Sequence, residues 1–289
     1  MGSRVERESS KTAAMMCFIR AGSFYENEPC LKTNDHIAPR LLPKVMLPFA
    51  RIKPLRRFLW KQFNISGAIE YVIARTIFID SVVADALKAG FGQVVVLGAG
   101  FDSRALRFQR PDSNAVFFEL DAPTTQSEKV RRLRRRGISV PENTVYAPID
   151  FNKEDFATVL QKHGYDTSKK TLFILEGITM YLEEDSVRST LKTLGSLSAP
   201  HGLVVSDFIH KSVLRGDNTL REEQLLRERV ANLGEPWRFG IEQHQVGAFL
   251  DGLGLRLLKS CTARDLEREL DFGSHRINGA HLIVLAEIP

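Results

Sequence analysis

Seven short apolar runs recur along the chain, at 94–97, 115–120, 143–149, 171–175, 203–206, 255–259 and 281–287. Most are separated by stretches whose apolar residues repeat with helical spacing, such as Val187, Leu191 and Leu194. Uninterrupted apolar runs predict strands buried on both faces, and their alternation with helices predicts a mostly parallel, doubly wound α/β sheet. Ahead of the first strand, 13–20 predicts a buried helix capped by Ser9 or Ser10, and 65–89 predicts one or two further helices. Pro123 falls where the helix after the second strand begins, a position that needs no amide donor. Residues 208–240 interrupt the rhythm with polar, helical sequence.

Composition narrows the class. With 289 residues, 43% hydrophobic and 26% charged, the chain has enough apolar content for one large α/β core with a helical extension. The expected division is a disordered tail at 1–9, a helical cap or lid at 10–89, and a core at 90–289 with a lid insertion around 208–240. Cys17, Cys30 and Cys261 are odd in number and scattered, which argues for free thiols and against a disulfide framework or a metal site. No run approaches the roughly 18 apolar residues needed to cross a bilayer, so a cytoplasmic protein without a membrane span is expected.

The net charge of +5 gathers in two stretches, 44–61 and 129–136. The first mixes Pro48 and Pro54 with Arg51, Lys53, Arg56 and Arg57, a composition that suits an amphipathic element on a membrane or partner. Its prolines forbid one continuous helix, so it is expected to form a broken helical lid. The second lacks interleaved aromatics and is expected to be a solvated helix face, with no nucleic-acid partner.

Chemistry concentrates where the first strand ends, in Gly98-Ala99-Gly100-Phe101-Asp102-Ser103. Two glycines there permit a tight turn and close approach of a ligand to bare main chain. Ser103 stands where a dinucleotide fingerprint has its third glycine, while Glu119 lies 21 residues after Gly98, at the spacing of a ribose-binding acid. A carboxylate near the end of the second strand suits either a dinucleotide or S-adenosyl-L-methionine, since both present a ribose diol. Asp102 sits where a pyrophosphate would meet a helix N-terminus and would repel it, which favours the phosphate-free methyl donor.

Three segments in order, Val-Leu-Gly-Ala-Gly-Phe-Asp-Ser-Arg at 96–104, Phe-Phe-Glu-Leu-Asp at 117–121 and Leu-Glu-Gly-Ile-Thr-Met-Tyr-Leu at 175–182, resemble the leucine carboxyl methyltransferase family. Ser-Lys-Thr-Ala at 10–13, Arg20 and Arg75-Thr76 are similar to it as well. The resemblance implies a Rossmann-like class I methyltransferase: a seven-stranded, mostly parallel sheet with helices on both faces and an N-terminal helical lid. It further implies that Lys11 and Arg75 meet the donor's carboxylate and that Gly98, Ala99 and Gly100 pack on its methionine tail beside Asp102. Asp121, or less favoured Glu119, would hold the ribose; Asp150 and Phe151 would flank the adenine; Glu176 would face the amino group.

These features predict an O-methyltransferase of small molecules, with a carboxylic acid or phenol, often a secondary metabolite, as acceptor. A protein carboxyl methyltransferase is the alternative, as is a donor-binding member that acts as a scaffold or non-methylating catalyst. A carboxylate acceptor is already ionised, whereas a phenol profits from a base, for which His210, His244 and His275 are candidates, with Tyr181 as an orienting group. Trp60, Phe208, Trp237 and Phe239 are candidate walls of the acceptor pocket. No His/Asp grouping of metal-binding type is evident, and nothing in the sequence assigns an oligomeric state.

Overall fold

The computed structural model describes residues 11–109, 114–216, 221–232 and 234–289, so the expected tail at 1–9 and the cap at Ser9 or Ser10 lie outside the described residues. The chain divides into two compact units, Met1–Phe63 with Thr76–Asp166, and Asn64–Arg75 with Thr167–Pro289.

The first unit opens with α1 (Lys11–Phe24), longer than the 13–20 expected. After a loop come three short helices, α2 (Ala38–Leu41), α3 (Leu47–Arg51) and α4 (Lys53–Phe63). Pro39 and Pro48 occupy the first turns of α2 and α3, and Pro54 is the second residue of α4. Proline is tolerated in a first turn and breaks a helix elsewhere, so this proline-rich stretch becomes several helices. A single helix, α5 (Ala68–Lys88), then crosses from the second unit into the first.

Next come β1 (Gln93–Leu97), α6 (Arg104–Arg107), β2 (Val116–Asp121), α7 (Pro123–Arg135), β3 (Thr144–Pro148) and α8 (Phe156–Lys162). The strands lie side by side as β3-β2-β1, all parallel, with Val96 opposite Glu119 and Glu119 opposite Tyr146. Every residue of β1 is buried, as its continuous apolar run requires. Cys17, Ala21, Leu41, Phe101 and Leu133 share one buried cluster, which seats the N-terminal helices against the turn after β1 and against α7.

The second unit holds β4 (Thr171–Leu175), α9 (Glu184–Ser196), β5 (Gly202–Ile209), α10 (Lys211–Arg215), α11 (Arg221–Asn232), α12 (Val246–Asp251), β6 (Arg256–Thr262), α13 (Ala263–Glu269) and β7 (His281–Ile288). Its strands run β4-β5-β7-β6; β4 and β5 are parallel, while β7 is antiparallel to both neighbours. Within each unit the strand pairs are parallel, except those that β7 makes. Cys17 and Cys261 are buried, and no disulfide joins the cysteines.

Candidate functional site

In the first unit, β1 runs into Gly98 and Gly100, whose φ angles of +65° and +52° lie where side chains are disfavoured by about 1–2 kcal/mol. A Cβ on Gly100 would meet that of Ala13 on α1 at 3.0 Å, so the turn must also be bare for packing. Asp121, the last residue of β2, closes the turn: one carboxylate oxygen accepts from the Gly100 amide, and the other accepts from the Ala122 amide at 2.6 Å. Burial raises the Asp121 carboxyl above its ordinary range, and the two backbone donors only partly offset this.

The turn is pinned from outside by a buried hub. Arg20 donates to the Phe101 carbonyl at 2.6 Å and to Asp35 at 2.9 Å. Asp35 also accepts from Ser103 Oγ at 2.7 Å and from the Ala38 amide at 2.9 Å. Burial disfavours the Asp35 charge, but Arg107, Arg20 and these donors outweigh it and hold the carboxyl below its usual range. Ser103, in place of a third glycine, therefore anchors the turn to the N-terminal helices.

Three expectations change here. Glu119 does not face a ligand: it is fully buried and ion-paired with Lys129 of α7, while its other oxygen lacks a hydrogen-bond partner. Burial pushes its carboxyl up to about 7 despite Lys129. Lys129 in turn leaves the solvated face expected for 129–136, because it lies one helical turn before buried Leu133 on the same stripe. Asp102 is not an open anion either. It is buried, and its carboxylate accepts from the Arg104 side chain at 2.5 Å and the Arg104 amide at 2.6 Å. Burial works against its charge, yet Arg104, Lys129 and Arg20 prevail and bring it down to about 2. Its charge is thus largely compensated, which weakens the repulsion argued from sequence.

Asp150 follows β3 and is tied to its own loop, through the Asn152 amide at 3.0 Å and Lys153 at 2.8 Å, while Phe151 is exposed. Lys11 is the first residue of α1, and its side chain lies outside the described residues.

In the second unit, Arg75 is buried between two acids, 2.5 Å from Asp207 and 3.0 Å from Glu176. Asp207 also accepts from Tyr71 at 3.1 Å and from the Gly177 amide at 2.7 Å. Arg75 and Glu176, which the resemblance assigns to the donor's carboxylate and amino group, are here partners of each other. Beside them lies His281, which the sequence reading left within a strand. Its ring stacks on Tyr71 at 4.1 Å, Trp237 meets its edge at 5.3 Å, and its Nδ1 has no hydrogen-bond partner. Burial, then Arg75 and His210, keep this imidazole neutral.

The candidate bases differ in setting. His210 Nδ1 lies 3.3 Å from Glu242, His244 is exposed, and His275 is half-buried. Tyr181 is held as a neutral phenol by burial and by Glu235, so it can donate but not act as a base. Phe208, Phe239 and Trp237 belong to the packed interior, with Phe208 and Phe239 ring to ring at 6.0 Å. Phe239 and His244 meet at a surface cavity of about 500 Å³, with Lys211, Arg188 and Phe249. Trp60, in the first unit, is half-buried beneath Arg56. Among the described residues no cluster of three or more His, Cys, Asp or Glu is arranged for a metal ion.

The glycine turn closed by an acid joins the first two of the three sequence segments, and the comparison with known families agrees. The description leucine carboxyl methyltransferase matches residues 13–195, more than half of the chain. The chain belongs to the leucine carboxyl methyltransferase family. Leucine carboxyl methyltransferase relatives include proteins provisionally named S-adenosyl-L-methionine-dependent methyltransferases. One from Mycobacterium tuberculosis is 33% identical over 166 residues, 57% of this chain and 50% of that protein. YktD of Bacillus subtilis is 25% identical over 206 residues, 71% of this chain and 67% of that protein. This chain spans about half the length of the mycobacterial relatives it matches. A DUF574 family protein from Streptomyces avermitilis shares the fold, with a TM-score of 0.63 at 14% identity over 99% of this chain and 100% of that one. The α/β sheet is thus the Rossmann-like one expected for this methyltransferase family, and no helix among the described residues is long and apolar enough to cross a membrane.

Proposed function

We propose that this chain transfers a methyl group from S-adenosyl-L-methionine to an oxygen of a small acceptor, a carboxylate or a phenolic hydroxyl, in the cytoplasm and in the service of secondary metabolism. The observation that carries the reading is the position of Asp121 against the Gly98–Gly100 turn. A carboxylate offers about four lone-pair sites. The Gly100 and Ala122 amides use two, which leaves capacity for the paired hydroxyls of a ribose. The positive φ angles of both glycines keep the neighbouring main chain open to a ligand.

Bound there, S-adenosyl-L-methionine supplies an electrophilic methyl carbon on a sulfonium. The chain's own part is to hold and orient. Asp121 fixes the ribose, and the Arg20–Asp35–Ser103 hub keeps the turn in one conformation. That sulfonium would give its methyl to an acceptor oxygen held in line with it, the C–O bond forming as the C–S bond breaks and the sulfur leaving as a neutral thioether. Holding that geometry is worth several kcal/mol of the barrier. A carboxylate acceptor needs no deprotonation, and a phenol must give its proton to a base.

The test is release of S-adenosylhomocysteine from the purified protein with a panel of aromatic and aliphatic acids, phenols and carboxyl-terminal peptides. Turnover with acids or phenols supports the proposal. Turnover confined to peptides assigns a protein acceptor instead, and donor binding without turnover on any of them assigns a non-methylating member.

A further inference from the structure

The second basic stretch of the sequence meets the end of α2, just ahead of the first basic stretch. Arg132 of α7 donates to the Leu41 carbonyl at 2.9 Å and Arg136 to the Leu42 carbonyl at 3.0 Å. Arg40 donates back to the Arg136 carbonyl at 3.2 Å. The end of α2 and the end of α7 are thereby one surface, and the chain continues from it through Val45 into α3 and α4. From residue 36 to residue 69 the sequence holds seven Lys or Arg and no Asp or Glu. Arg40, Lys44, Arg51, Lys53, Arg57 and Lys61 are all exposed, and Arg131, Arg134 and Arg135 on α7 add to them.

The same segment exposes apolar side chains that a water-facing lid should cover. Val45 is 71% exposed, Ile52 47%, Leu55 37% and Phe58 62%; they are half of the eight large apolar residues exposed among the described residues. Leu55 and Phe58 are three residues apart and form a stripe along one side of α4, with Ile52 just ahead of the helix. Lys53, Arg57 and Lys61 are four apart and form a second stripe beside it. Arg56, on the opposite side of α4, is buried against Glu26 at 2.6 Å, which fixes α4 to the turn after α1 and leaves both stripes exposed.

We propose that this face docks on an anionic lipid surface, with Ile52, Leu55 and Phe58 entering the headgroup–acyl boundary and the flanking cations meeting lipid phosphates and carboxylates. Apolar and cationic stripes side by side are the pattern of helices that lie in a bilayer interface. The charge chooses the occupant. A second copy would bring the same cations against these, and a nucleic acid gives no use to the aliphatic Val45, Ile52 and Leu55. The interaction is peripheral, and it is independent of the reaction proposed above.

Vesicle co-sedimentation of the full chain tests this. The protein should pellet with phosphatidylcholine vesicles containing phosphatidylserine, stay in solution with phosphatidylcholine alone, and be released by salt, since these charges are exposed. Reversing Lys53, Arg57 and Lys61 to Glu together should weaken binding by at least about a hundredfold, at about fivefold for each cation near the surface. Phe58→Asp should weaken it by about tenfold. All four side chains are exposed, so thermal midpoints should stay close to that of the parent, which separates lost binding from lost folding. Failure to pellet with anionic vesicles, equal binding to neutral ones, or unchanged binding by both variants overturns the proposal. So does concentration-dependent self-association through Phe58, or an RNA that displaces the vesicles.

Discussion

Asp121 accepts the amide hydrogen of Gly100. The end of β2 thus closes the turn that follows β1, and one carboxylate both shapes the main chain and faces whatever that main chain receives. Gly100 is as constrained as Asp121, because its φ is +52° and a Cβ would press on Ala13 at 3.0 Å. Gly100→Ala is expected to lower stability by about 1–2 kcal/mol through the left-handed backbone alone. Donor affinity should fall at least about tenfold with it, read by urea unfolding and by titration calorimetry.

The Glu119–Lys129 pair is expected to act as a buried unit. Lys129→Met leaves Glu119 without its cation and should cost about 3–5 kcal/mol in urea unfolding at neutral pH. Replacing both partners, Glu119→Leu with Lys129→Met, should recover most of that loss. A double variant no better than the single one would mean that the pair does more than satisfy itself.

Asp102 makes a prediction with a defined pH window. Its folded carboxyl lies at about 2, below the 3.8 of the free group. Between these values the unfolded chain binds more protons, so the stabilisation is complete above about pH 4 and is lost as pH falls toward 2. At 1.36 kcal/mol per pH unit this amounts to about 2 kcal/mol. The stability gap between the parent and Asp102→Asn should close by that amount on acidification from pH 6 to pH 2.

Arg75 separates a structural cation from a ligand contact. Removing it by Arg75→Ala strands Asp207, which is fully buried, and should cost about 3–5 kcal/mol. Arg75→Lys keeps the charge but cannot span Asp207 and Glu176 as a planar fork does, so it should lose part of that stability. A thermal melt of both variants, without ligand, distinguishes this from a role in ligand binding alone.

The strands and the glycine turn were legible in the sequence because β1 and β4 carry continuous apolar runs and glycine has few other reasons to punctuate a strand end. Pro123 opening α7 was legible for the same local reason. What escaped was long-range pairing. Nothing beside Glu119 in sequence announces Lys129, although its four-residue spacing to Leu133 marks the buried side of α7. Asp102 read as an exposed anion because Arg104 folds back on it only once α6 forms. His281 read as one residue of an apolar strand, and its stacking on Tyr71 brings together residues 210 positions apart. The antiparallel placement of β7 between β5 and β6 is likewise a matter of topology, which periodicity does not record.

The central claim is that the turn closed by Asp121 receives S-adenosyl-L-methionine. Titration calorimetry of the full chain with S-adenosyl-L-methionine, and separately with NAD, tests it most directly when run on the parent, Asp121→Asn and Asp121→Ala. Asn can still accept from the Gly100 amide but lacks the charge that strengthens hydrogen bonds to a diol. The account predicts one site for S-adenosyl-L-methionine, none for NAD, affinity at least about tenfold weaker in Asp121→Asn, and weaker still in Asp121→Ala. Binding of NAD in its place, no binding of the methyl donor, or unchanged affinity in both variants would contradict it.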